Sequence, residues 1–509
     1  MSAKAARPSY GNFRPTRRAG LFGIPILALG GLLAAAVIGF ALLVSQHWPL
    51  ALAWTVLTVA LTAPLLHRDG HDRNTYQNLG ARVSFMLRRR AGTTVYRSGP
   101  AGSTPDGKCR LPGLAAASVL TEHIDAYGQP FALLYVPATH HYSVVLGAAP
   151  ADYQLMDEAA IDTLVASWGG WLADLGHHPS IDGASVTVET APDSGLTLRR
   201  NISTQLASNA PAFSAAVLGE IAQTFPDSSA RVTTRVTVSF SGIPPWERGS
   251  SLRRKRPRPR SRAEMATEIA NLLPGLIAGL TATGAGTAVR ALSAQDVVDE
   301  TKVAYNPAVA LQVEEARQSG GTGLSWDEAG PTGAVESWTN YRHDLGWSQT
   351  WYMTSPHRGA FPAEALARLL GPHRDITRKR VTILYRPEPP VAAAEIVDRA
   401  YRDATTEAAQ RGRATARDMR AIRIAERTAA EEASGAGLLR FGVIVTATVL
   451  DPDLMPLAQT TIEGLAAAPR LKLRLAYGNQ AAAFVAGLPL GLVLPKHLVL
   501  SSELRDQLL

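Results

Sequence analysis

From Leu21 to Leu66 the chain reads LFGIPILALGGLLAAAVIGFALLVSQHWPLALAWTVLTVALTAPLL, without a single Asp, Glu, Lys or Arg. An α-helix rises ~1.5 Å per residue, so about 20 apolar residues cross a ~30 Å hydrocarbon core. Two spans fit, at 21–44 and 49–66, separated by SQHWP, which supplies an interfacial aromatic, Trp48, and a turn former, Pro49. The run exceeds the about 7–15 residue apolar core of a cleaved signal peptide. The sequence therefore predicts a two-helix transmembrane hairpin over 20–67. Its competitor is a helical pair buried in a soluble core. Gly23, Gly30, Gly31 and Gly39 permit close helix approach, without a GxxxG register.

Orientation follows from the flanks. Lys4, Arg7, Arg14, Arg17 and Arg18 precede the first span, and Arg68, Arg73, Arg82 and Arg88 to Arg90 follow the second. The intervening loop has no Lys or Arg, so the positive-inside rule predicts a multi-pass protein of the cell (inner) membrane with both termini cytoplasmic. The remaining mass then sits in the cytosol. Its one cysteine, Cys109, agrees with a reducing compartment.

The net charge is +8, and seven basic residues in SLRRKRPRPRSR (Ser251 to Arg262) account for nearly all of it. The rest of the chain is close to neutral, which argues against a body that coats nucleic acid. The seven are Arg253, Arg254, Lys255, Arg256, Arg258, Arg260 and Arg262. Three readings compete: a phosphate grip on nucleic acid, a clamp on anionic lipid, and a solvated linker. No aromatics are interleaved for base stacking, and Pro, Ser and Arg bury little apolar surface.

The cytosolic part reads as α+β, with ferredoxin-like α/β sandwich units. RNTYQNLGARVSFMLRRR has helical spacing, with Arg88, Arg89 and Arg90 as candidates for lipid contact. FALLYVP (131–137) and YSVVLGA (142–148) form a hairpin pattern, and ARVTTRVTVSF (230–240) alternates with period two. Strand–helix–strand patterns recur at 348–387 and 438–478, with long helices near 391–434, and the segment after the basic run reads as helical up to a kink at Pro274. The expected division is a basic tail 1–19, the hairpin 20–67, a first domain 68–245, a linker 246–262 and a second domain 263–509.

Catalytic motifs are missing. Gly107-Lys108 lacks the upstream glycine of a phosphate loop, SGGTGLSWDEAGPTG lacks its lysine, and Gly323-x-Ser325-x-Asp327 lacks the second glycine of a nucleophile elbow. His140-His141 and His177-His178 are adjacent pairs whose side chains diverge, which does not suit a metal. Asp451 and Asp453 read as helix caps, and Trp168 and Trp171 as packing residues. No catalytic, cofactor or metal residue is assigned, and no enzyme activity is expected.

YGNFRPTRRAGLFGIP and ASWGGWLADLGHHPSIDGASVTVETAPDSG resemble signatures of a membrane-protein family of actinobacterial conjugative elements. The anchor is similar to PrgI-type two-helix subunits of type IV secretion systems. The cytosolic part resembles the non-motor N-terminal domain of conjugative ATPases, which closes on an aromatic and a Leu-Pro pair; AAAFVAGLPLGLVLP supplies Phe484, Leu488 and Pro489. There a motor domain follows, whereas this sequence stops at Leu509. The resemblance implies an inner-membrane scaffold of a type IV-like DNA-transfer apparatus, without a cofactor, in a hetero-oligomer with a separate ATPase and channel subunits, its contact with DNA at most indirect. The alternatives are a two-helix subunit of a type VII secretion core and a membrane-tethered enzyme such as a transferase.

Overall fold

A computed structural model describes residues 10–11, 20–21, 24–67, 69–71, 73–102, 104–150, 156–224, 230–244, 258–355, 360–361, 363–410 and 415–498. Among them, thirteen strands form one antiparallel sheet. They are β1 (Val95–Arg97), β2 (Val119–Ile124), β3 (Pro130–Val136), β4 (His141–Ala148), β5 (Ile181–Pro192), β6 (Ala230–Ser241) and β7 (Arg290–Ala291). The others are β8 (Gly333–Glu336), β9 (Tyr341–His343), β10 (Gly346–Ser355), β11 (Arg378–Pro387), β12 (Leu439–Val449) and β13 (Lys472–Leu475). The path is β1-β8-β9-β10-β12-β11-β5-β6-β4-β3-β2, with β7 beside β4 and β13 beside β10.

The same path is traced twice. A meander, β2-β3-β4, leads into α4 (Glu158–His177), β5, the pair α5 (Leu196–Gln205) and α6 (Ala212–Thr224), β6, α7 (Arg262–Thr281) and β7. A second meander, β8-β9-β10, leads into α10 (Ala367–Leu370), β11, the pair α11 (Pro390–Gln410) and α12 (Ala416–Ala433), β12, α13 (Met455–Ala467) and β13. The spatial orders β7-β4-β6-β5 and β13-β10-β12-β11 correspond strand for strand. The halves join where β5 pairs with β11, so one sheet runs through both.

Period-two patterning separates the faces. In β6, Val236, Val238 and Phe240 enter a core with Phe131, Tyr142 and Val144, covered by Trp171 and Leu175 of α4 and Met265, Ile269 and Leu273 of α7. Each large side chain buried here contributes roughly 1.5–3 kcal/mol relative to exposure. The equivalent core of the second half joins Val443, Val445 and Ala447 to Met455, Ala458 and Ile462 of α13. The opposite face is covered by α8 (Ala294–Tyr305), α9 (Ala310–Gln318), α14 (Gln480–Ala486) and the segment 487–492.

Two sequence expectations change here. The helix after the basic run, assigned to the second domain, packs into the first half's core, so the run joins β6 to α7 of one core rather than linking two cores. Helix α7 also continues through Pro274 to Thr281. It starts at a capping box, the Ser261 hydroxyl accepting from the Glu264 amide at 3.2 Å and the Glu264 carboxylate accepting from the Ser261 amide at 2.7 Å.

N-terminal to the sheet lie α1 (Ile26–Val44), α2 (Trp48–Leu66) and α3 (Thr75–Arg90). Among the described residues one helix meets the length and composition for crossing a membrane, over Trp48–Leu65, and only 6% of that window is buried, so it is not a core helix. The first expected span gives a shorter apolar segment among the described residues, Leu29–Val44. The helices touch: the Trp54 indole donates to the Ala35 carbonyl at 2.8 Å, over Gly39, where a Cβ would lie 3.3 Å from Trp54 Cδ1. Thr55, Thr58 and Thr62 each donate back to the carbonyl four residues earlier, which satisfies their hydroxyls inside an apolar helix. Of the arginines ending α3, Arg88 turns inward to Glu336, at 3.0 Å, rather than outward to lipid.

Candidate functional site at the junction of the halves

Arg380 and Glu189 are direct cross-strand partners on β11 and β5. Arg378, two residues away on the same face, reaches the same carboxylate. Glu189 Oε1 lies 2.8 Å from Arg378 Nη1, and Oε2 lies 2.9 Å from Arg380 Nη2. Burial raises the Glu189 pKa, but the two guanidiniums outweigh it and hold the carboxyl below its ordinary value.

A second layer closes over this clamp. Arg235 of β6 donates to both oxygens of Glu300 on α8, with Nε 3.0 Å from each. Arg317 of α9 reaches Asp296 at 3.0 Å and the fully buried Asp299 at 3.2 Å. Asp299 also accepts from Gln295 at 2.8 Å and from Thr322 at 2.5 Å. Between these layers lies a cleft of about 720 Å³, edged by Arg199 and Arg200 of α5, Arg231, Glu314 and Leu488 to Leu490.

The cleft is rich in paired charges. Glu189, Asp299, Glu300 and Glu314 are each paired with an arginine, at 2.8, 3.2, 2.5 and 3.1 Å. Seven arginines face five carboxylates along its lining, so its surplus is positive. Arg200 is exposed and has no side-chain partner among the described residues.

The roof of the cleft continues into an irregular strap. Its carbonyls lack a strand ladder and are satisfied by hydroxyls of the sheet: Ser143 donates to Leu490 at 2.8 Å, Ser239 to Gly491 at 2.8 Å and Thr382 to Gly487 at 2.7 Å. This explains the buried Ser and Thr on that face. Gly491 has φ +68°, and a Cβ there would lie 2.5 Å from Ser143 Cβ. Phe484 is fully buried among the rings of Tyr305, Tyr341 and His343, so the aromatic and Leu-Pro positions singled out in the sequence anchor this strap.

One serine–histidine contact went unseen in the sequence because the two residues meet across the β9–β10 turn. His343 Nε2 lies 2.7 Å from Ser348 Oγ, and Nδ1 lies 2.6 Å from the Tyr305 carbonyl. Only a protonated Nδ1 satisfies that carbonyl, so Nε2 accepts from Ser348. Both residues are fully buried, and burial lowers the His343 pKa to about 4. The pair is structural: no substrate reaches it.

The sequence-predicted residues fall elsewhere. Arg253, Arg254, Lys255 and Arg256 lie outside the described residues. Arg258 is exposed. Arg260 pairs with Glu268 and donates to the Ser241 carbonyl at 2.9 Å, and Arg262 stands 5.6 Å over the Tyr135 ring. The last two are therefore bound into the first half's surface. His141 pairs with Asp182 at 2.8 Å while His140 approaches Tyr135 at 3.2 Å, so the two imidazoles diverge. Among the described residues no cluster of three His, Cys, Asp or Glu side chains could hold a metal. Asp451 accepts from the Asp453 amide at 3.0 Å, as a cap. Trp168 and Trp171 stack at 5.1 Å, and Trp171 donates to the Leu276 carbonyl at 3.1 Å inside the core. Lys108 and Arg110 both reach Asp327 at 3.3 Å, which joins the failed phosphate-loop and nucleophile-elbow segments in an ordinary surface ion pair.

No family model matches the chain, and no curated protein matches it significantly.

Proposed function

We propose that this chain is a membrane-anchored scaffold, its sheet held against the bilayer by the apolar helices and its junction cleft serving as a docking surface. The observation that carries the reading is the outward-facing apolar helix Trp48–Leu65, joined through α3 to a large sheet body. A two-pass anchor with both termini cytoplasmic is the reading of the uncharged run 21–66 and its basic flanks, and α2 rests on α1 through the Trp54 indole. The strand orders β7-β4-β6-β5 and β13-β10-β12-β11, each built as strand–helix–strand, strand–helix–strand, support ferredoxin-like units in tandem.

The assignment to a type IV-like conjugative apparatus rests on the sequence signatures, and the cleft's positive surplus suits an acidic segment of a separate ATPase. Cross-linking of the full chain in native membranes, followed by identification of the partner, tests this. Recovery of a Walker-motif DNA-transfer ATPase supports it. Recovery of type VII core subunits favours the alternative scaffold, and recovery of neither overturns the secretion reading.

A further inference from the structure

We infer that a second cavity, beneath α3, binds the phosphate of an anionic phospholipid headgroup; this rests on the membrane-anchor reading. The cavity measures about 350 Å³ and is lined by Arg73, Arg82, Arg474, Trp338, Tyr352 and Tyr477, among others. Its deepest cation is incompletely satisfied. The Arg474 side chain is only 9% exposed, and its Nη2 donates to Asn78 Oδ1 at 2.9 Å. Its Nη1 is buried with no hydrogen-bond partner among the described residues, and Asp69 is 3.8 Å away. The Asp69 oxygens are already taken by the amides of His71 and Arg73 and by the Asn78 side chain. Arg73, Arg82 and Arg474 line the cavity together and no Asp or Glu does, so the space favours an anion.

Position selects the source of that anion. The Tyr76 hydroxyl donates to the Leu61 carbonyl at 2.9 Å, which ties the start of α3 to the last turns of the apolar helix α2. Tyr76, Leu79, Val83, Met86 and Leu87 are exposed, at the spacing of a helix stripe, while Phe85 on the other side is buried. Such a helix rests in the interfacial plane. Arg82 lies at the border between stripe and cavity, where a headgroup would pass. The aromatics Trp338, Tyr352 and Tyr477 give the cavity an amphipathic wall of the kind found at headgroup depth.

The test is a lipid titration of the full chain purified in dodecylmaltoside, read as the shift in thermal midpoint. Dioleoyl phosphatidylglycerol is expected to raise the midpoint saturably, with phosphatidylcholine doing less. Arg82→Gln, an exposed change that leaves the fold alone, is expected to raise the half-saturating concentration roughly tenfold, the loss of one charge-assisted contact. Arg474→Gln should abolish the effect. A flat titration, or an Arg82→Gln protein identical to the parent, overturns the proposal. Glycerol 1-phosphate alone reproducing the shift identifies a soluble phosphate ester instead and also overturns the lipid assignment. Alkaline carbonate extraction of native membranes separates the two readings. Release of the chain overturns the anchor, whereas retention with a flat titration overturns only the lipid site.

Discussion

The hydroxyls of Thr187 and Thr382 meet 3.1 Å apart across the β5–β11 ladder, midway along the pairing that runs from Lys379↔Thr190 to Tyr385↔Ala184. Because β5 and β11 are equivalent strands of the two halves, this pair marks the local centre about which the sheet repeats itself. Thr382 spends its proton on the Gly487 carbonyl, so Thr187 donates to Thr382. One short relay thus joins the first half, the second half and the strap.

Thr382→Val should therefore cost more than Thr187→Val. The first leaves the Gly487 carbonyl and the Thr187 hydroxyl without partners, for about 1–3 kcal/mol, and the second removes one bond, for about 1 kcal/mol. Denaturant unfolding of the full chain in detergent measures both. Equal losses would show that the strap contributes nothing to the junction.

Gly491→Ala should loosen the strap without unfolding the sheet. An alanine at φ +68° is strained, and its Cβ overlaps Ser143. Hydrogen exchange at Leu490 to Leu492 is the readout, with faster exchange there and little change in β11 and β12. Uniform acceleration across the sheet would instead mean that the strap is part of the global unfolding unit.

Acid should weaken the second half through His343. Its pKa falls from an ordinary 6.5 to about 4 because burial disfavours the imidazolium. The unfolded chain then binds a proton that the folded chain refuses, so this contribution is complete above about pH 6.5 and declines as pH drops towards 4. The full effect is roughly 3 kcal/mol. Replacement by Gln should flatten the stability–pH curve in that window, and an unchanged slope would place the titration elsewhere.

Lys379→Met should stabilise the protein. Lys379 is almost fully buried on the helix-covered face, its ammonium reaches the Gly371 carbonyl, and burial lowers its pKa to about 8. Methionine fills the same volume without a charge to desolvate, for a gain of about 1–2 kcal/mol at neutral pH. A lower thermal midpoint would mean that the contact with Gly371 outweighs the desolvation.

Much of the local structure is legible in the chain itself. Val and Thr alternation in 230–240 sets which residues of β6 enter the core, and Asp451 announces the turn that it caps. The repeated strand–helix–strand order is visible in outline. The basic run misleads because composition reports its solvation, not its place in the topology: α7 beyond it carries Met265, Ile269 and Leu273 into the first half's core. Likewise the Gly-rich and His-pair motifs are silent about Arg378, Arg380 and Glu189, whose meeting depends on the register of two strands far apart in sequence.

The sequence alone determines the apolar helix, the alternating faces of the strands and the helix starts, because each depends on neighbours within a turn or two of chain. Only the tertiary structure decides that β5 pairs with β11, that the strap at 487–491 lies on strand hydroxyls, and that Arg474 joins Arg73 and Arg82 around one cavity. Those relationships are set by pairing register and packing across long chain separations, where a local pattern is compatible with many partners and burial selects one.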